Sequence, residues 1–142
     1  MGWAWCSPEV TLVGILRVVE ELRSKRPGSQ IVINGLLPRS FDAKTGYVMK
    51  TMEIQNKKPP PLWKDIQAIN NQLEEYTRTR DNIHFFDATD IFLVNGDDMD
   101  LVKEKDLRID QNLMKDFLHP SHIGYKLWGD QIVKKLEELI QN

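Results

Sequence analysis

Cysteine is nearly missing from this chain: Cys6 stands alone, so no internal disulfide can form and no thiolate cluster can hold structural zinc. The two signs of charge nearly balance, with 19 basic and 21 acidic residues. The net charge is −2, which creates no field to draw in a phosphate backbone and argues against nucleic acid as a partner. Long apolar runs are absent too, so no membrane span is expected. Met1 to Ser7 lacks the basic stretch and apolar run of a secretory signal. What is present is an ordinary globular composition, 41% hydrophobic and 28% charged over 142 residues. That predicts one domain covering 1–142, a small molecule as partner, and a reducing, cytoplasmic compartment by default.

The apolar residues are spaced to make alternating helices and strands. Ser7-Pro8-Glu9 reads as a helix start, with Ser7 as the cap, Pro8 pre-set in φ and Glu9 favourable at the positive helix end. Leu12, Leu16, Val19 and Leu22 follow as a stripe until Arg26-Pro27-Gly28 stops it. Gln30 to Leu37 is β-rich and nearly continuously apolar (Ile31, Val32, Ile33, then Gly35, Leu36, Leu37), which predicts a strand covered on both faces and ended by Pro38. Pattern is lost over residues 39–61, which read as a long loop with a stiff polar stretch at Lys57-Lys58-Pro59-Pro60-Pro61. Leu62, Ile66, Ile69, Leu73 and Tyr76 predict a second helix, and Ile83 to Ala88 a second strand. A loop runs on to about Asp116, within which Ile91 to Val94 reads as either a helical or an extended piece. A last helix begins after Pro120-Ser121, with Ile123, Leu127, Ile132, Leu136 and Leu139 on one face. No internal repeat is visible. The order of helix, strand, helix, strand, helix predicts an α/β fold with parallel strands joined by a crossover. The loops after both strands, and His119 ahead of the last helix, then meet at the carboxyl edge of the sheet.

The residues best suited to chemistry are in Asp116-Phe117-Leu118-His119-Pro120. A carboxylate three residues before an imidazole can reach one ring nitrogen through a tight turn, which leaves the other nitrogen to take a proton from a hydroxyl nucleophile. Phe117 and Leu118 are apolar and are expected to anchor that turn. Spacing alone is weak support, since Asp-x-x-His also arises by chance at caps and on surfaces.

The stretch from Asp116 to Trp128, which continues as Pro120-Ser121-His122-Ile123-Gly124-Tyr125-Lys126-Leu127, resembles the last block of the SGNH hydrolases, the GDSL-type esterases and lipases. Ile31-Val32-Ile33-Asn34-Gly35-Leu36-Leu37-Pro38-Arg39 is similar to that family's fourth strand and the loop after it, most of all in its platelet-activating-factor acetylhydrolase branch, and His84 to Asp87 is similar to the fifth strand. The resemblance extends from Ser7 to the last residue. It implies a flavodoxin-like three-layer α/β/α fold and hydrolysis of acetyl or short acyl esters without metal or other cofactor. It also implies Asp116 as orienter and His119 as general base.

The family's Gly-Asp-Ser nucleophile block has no counterpart here, and neither do the Gly and Asn of its oxyanion hole. Gly2-Trp3-Ala4-Trp5 stands about where the latter would end. Ser7, Ser24, Ser29, Ser40 and Ser121 all lack the Gly-Asp-Ser context. The chain is therefore expected to be a carboxyl-terminal portion or a diverged copy, with an incomplete parallel sheet whose unpaired edge at Ile31 to Leu37 invites self-association. Catalytic groups of this kind act as a unit, so a base and orienter without a nucleophile predict weak or absent activity. The rival readings are a non-catalytic binding or assembly module, with Trp3 and Trp5 as contact residues, and a metal site at Asp116, His119 and His122. Arg39 is a candidate for holding an anionic group, though a structurally paired arginine is the commoner outcome.

Overall fold

The structure, a computed structural model, describes residues 6–40, 44–49, 62–95 and 107–141. Its elements in chain order are α1 (Pro8–Lys25), β1 (Ile31–Asn34), β2 (Tyr47–Met49), α2 (Trp63–Thr77), β3 (Ile83–Phe86), α3 (Thr89–Phe92), β4 (Leu93–Asn95), β5 (Leu107–Ile109) and α4 (His122–Ile140). The protein is mixed α/β, with a parallel β1-β3 pair and a separate antiparallel sheet ordered β2-β5-β4. The chain groups into two compact units, Met1–Leu36 with Asp65–Asp87 and Leu37–Lys64 with Ala88–Asn142. No described helix is long and apolar enough to cross a membrane.

In the first unit the cap acts as its chemistry dictates: the Ser7 hydroxyl accepts the Val10 N–H at 3.3 Å, and Pro8 occupies the first turn, where no intrahelical partner for an N–H is available. Pro27 and Gly28, with φ at 88°, turn the chain out of α1. β1 and β3 pair in register from Ile31 with Ile83 to Asn34 with Phe86. Alternation puts Ile31, Ile33, Ile83 and Phe85 on one face of this pair. That face packs with Val19, Ile69 and Leu73, and Leu12, Ile15, Leu16 and Tyr76 border the cluster. Both α1 and α2 thus feed the core on this face of the pair, to which β1 contributes Ile31 and Ile33.

Two polar devices reinforce this core. The Asn70 amide, 5% exposed, accepts the Leu36 N–H at 2.7 Å and donates to the Leu36 carbonyl at 3.0 Å, so a side chain completes the backbone where β1 ends. Between the helices the Tyr76 hydroxyl donates to Glu20, and Arg23 donates to both oxygens of the same carboxylate at 3.0 and 3.1 Å. The Arg80 guanidinium lies 3.7 Å from the Tyr76 ring centroid. The Tyr76 and Arg23 bonds hold the Glu20 carboxyl below its ordinary range, and burial followed by the Glu20 bond pushes the Tyr76 phenol up.

The second unit departs further from expectation. The segment read as patternless loop contains β2, and the loop before Asp116 contains β4 and β5. The undecided piece at Ile91 to Val94 is helical first and extended afterwards, as α3 passes directly into β4. β5 is the central strand, with Ile109 opposite Leu93 and Arg108 opposite both Val94 and Tyr47. Phe92, Ile109, Met114 and Val48 are fully buried. After β5 the chain turns on Asp110, whose carbonyl accepts the N–H groups of Leu113 and Met114 at 3.1 and 3.0 Å. Ser121 then starts α4. Its Oγ accepts the Gly124 N–H at 3.2 Å and donates to the Asn112 carbonyl at 2.7 Å, while its own N–H donates to the Leu113 carbonyl at 2.6 Å.

The apolar stripe of α4 is less buried than its periodicity predicts. Gly124 is the buried residue of this helix, while Ile123, Leu127 and Leu136 are all exposed. Leu22 of α1 is exposed as well. Periodicity identifies a face able to be covered and carries no information about whether a neighbour covers it. The expectations placed on Trp3, Trp5 and residues 57–61 lie outside the described residues.

Candidate active site

Asp116 and His119 are brought together within the second unit. The Asp116 Oδ2 lies 2.7 Å from His119 Nδ1, while Oδ1 accepts the backbone N–H groups of His119 at 2.7 Å and Leu118 at 3.0 Å. One carboxylate therefore closes the turn with one oxygen and steers the ring with the other. These bonds, led by that from the His119 ring and then by its backbone N–H, lower the Asp116 carboxyl to about 2. Ionised at neutral pH, the carboxylate can only accept, so Nδ1 must be the protonated nitrogen. In the neutral ring Nε2 is then left with a lone pair. The two side chains are 72% and 56% exposed, His119 the more so, and an exposed pair adds little to folding stability. The arrangement serves orientation more than stability.

Phe117, between the two, is the one described non-glycine residue with positive φ, at 57°. Left-handed backbone costs a side-chain-bearing residue about 1–2 kcal/mol, so something outside the turn must hold it. The Phe117 N–H donates to the Met114 carbonyl at 3.0 Å and its carbonyl accepts the Ser40 N–H at 3.2 Å. Its ring is buried, whereas Leu118 is exposed. Of the two residues expected to anchor the turn, Phe117 alone does so, because reversing the chain at a left-handed residue sends the next side chain outward.

His122 opens α4 and is exposed. Among the described residues no three His, Cys, Asp or Glu side chains group to hold a metal ion, so Asp116, His119 and His122 do not converge as ligands. The serine hydroxyls nearest in sequence have structural partners, Ser40 donating to the Tyr47 carbonyl at 2.8 Å and Ser121 capping α4. Arg39 is half-buried and already engaged. Gly46, which contacts the turn from the segment ahead of it, was not among the residues singled out by sequence, and Ser40 was weighed only as a nucleophile. The one signal for Gly46 is that the β-prone Tyr47-Val48-Met49 follows it.

Neither the family models nor the curated proteins searched match this sequence.

Proposed function

We propose that the Asp116–His119 turn is the acid–base half of a serine-esterase site of SGNH, or GDSL, type in a flavodoxin-like three-layer α/β/α scaffold, acting on acetyl or short acyl esters. The observation that carries this reading is the 2.7 Å contact between Asp116 Oδ2 and His119 Nδ1, with Oδ1 fixed by two backbone N–H groups. His119 Nε2 takes the proton of a serine hydroxyl as that oxygen attacks the ester carbonyl. The imidazolium returns the proton to the departing alkoxide, and water, deprotonated by the same ring, then releases the acyl group. Asp116 keeps the proton on Nδ1 and stabilises the imidazolium. The reading gives this chain the base and its orienter and names no nucleophile within it.

Hydrolysis of short p-nitrophenyl esters by the purified protein, compared with His119→Ala, tests it. General-base catalysis is worth about 10²–10⁴ in rate, so whatever hydrolysis the protein shows above background should be lost in the variant. Labelling of a serine by an organophosphonate, lost in the same variant, would identify the nucleophile. Equal rates for both proteins favour the second reading, a non-catalytic binding module. The 72% exposure of His119 supports that alternative, because oxyanion stabilisation is strongest where water is excluded.

A further inference from the structure

Taking Asp116–His119 as orienter and base, we infer that Gly46 and Phe117 are its positioning residues, a glycine–aromatic contact that fixes the turn from outside. Gly46 precedes β2 with φ at 73°. A Cβ built there would lie 2.5 Å from Cε1 and 2.6 Å from Cδ1 of Phe117, so the ring lies directly against the Gly46 backbone. Gly46 is itself fixed, because its carbonyl accepts the Ile109 N–H at 2.9 Å, where β5 begins its exit toward the Asp110 turn. Phe117 is restrained on all sides: its N–H by Met114, its carbonyl by Ser40, and its ring by Gly46. Ser40 is tied in turn to the Tyr47 carbonyl, one residue beyond Gly46.

The consequence is directional. An Asp-x-x-His segment free in solution samples many turn geometries. The left-handed setting at Phe117 is what lets Asp116 reach forward to the N–H groups of Leu118 and His119 and to Nδ1 together. A β-carbon on Gly46 must displace the ring, and without the ring seated only the Met114 and Ser40 hydrogen bonds are left to offset the backbone penalty at Phe117. The carboxylate then loses its grip on the imidazole although neither residue has changed.

NMR of isotopically labelled protein decides the matter without requiring turnover. Wild type should show contacts between the Phe117 ring protons and the Gly46 α-protons, an Asp116 carboxyl titrating at about 2, and the Nδ1-protonated tautomer of neutral His119. In Gly46→Ala the Asp116 titration should rise toward the ordinary 3.8 and the tautomer preference should be lost. Phe117→Ala, which keeps the backbone penalty but removes the ring, should do the same and carries the test if Gly46→Ala does not fold. Missing ring-to-glycine contacts in wild type overturn the inference whatever the variants do. Folded variants that keep Asp116 at about 2 and Nδ1 protonated overturn it while leaving the Asp–His reading intact. An Asp116 that titrates normally in wild type removes the reading itself, and the inference with it.

Discussion

The two units of this protein are held in different ways. In the first, a continuous apolar cluster of Val19, Ile33, Ile69, Leu73 and Ile83 is shared among two helices and a parallel strand pair, and polar groups finish its edges. In the second, the strands are three residues long, and the buried side chains Phe92, Ile109 and Met114 are accompanied by turn and cap hydrogen bonds at residues 110–124. A shared cluster makes a scaffold. A chain of locked turns instead fixes individual side chains in set directions, which is what a site of positioned groups needs. The candidate site is in the second kind of structure.

The comparison can be broken at several points. The largest effect is expected from Phe92→Ala, which empties a fully buried site and removes the edge-on contact with Trp128 at 6.3 Å. About 3–5 kcal/mol should be lost, against about 2–5 for Leu73→Ala in the first unit, both read from urea denaturation. A Phe92→Ala cost below 1 kcal/mol would mean that the second unit does not rely on its few buried side chains. Asn70→Ala should cost less, about 1–3 kcal/mol, since it strands the N–H and carbonyl of Leu36. Amide exchange at Leu36 should quicken, and unchanged protection there would refute the clamp.

The smallest effect concerns Asp116. Its folded-state pKa of about 2 is below its ordinary 3.8, so its contribution is fully present above the ordinary value and is lost as pH falls through the folded one. Asp116→Asn should therefore differ from wild type in neutral solution, with the difference shrinking between pH 3.8 and about 2. Screening at this exposed site keeps the difference small. Acid titration followed by circular dichroism checks it, and a gap that persists below pH 2 would contradict the sign.

Much of the first unit was legible in the residues. Ser7 and Pro8 mark the start of α1, Pro27-Gly28 its end, and the spacing of Ile69, Leu73 and Tyr76 the inward side of α2. Local capping and periodicity are short-range effects, so they can be read from neighbours in sequence. β2, β4 and β5 were not legible, because three-residue strands give too little alternation to exceed chance and are fixed only by partners distant in the chain. At the candidate site Asp116 and His119 were visible from their spacing, while Gly46, seventy-one positions before Phe117, was not.

The sequence by itself marked where α1, α2, β1, β3 and α4 lie, that Ser7 caps the first helix, and that Asp116 and His119 are near enough to meet, since caps, apolar spacing and apolar runs are all patterns among close neighbours. Only the tertiary structure decided that Phe117 adopts positive φ, that its ring rests on Gly46, and that much of the apolar stripe of α4 is exposed. A strained residue persists only when contacts from elsewhere in the chain compensate for it, and burial needs a second surface. Neither requirement is written in the residues that bear it.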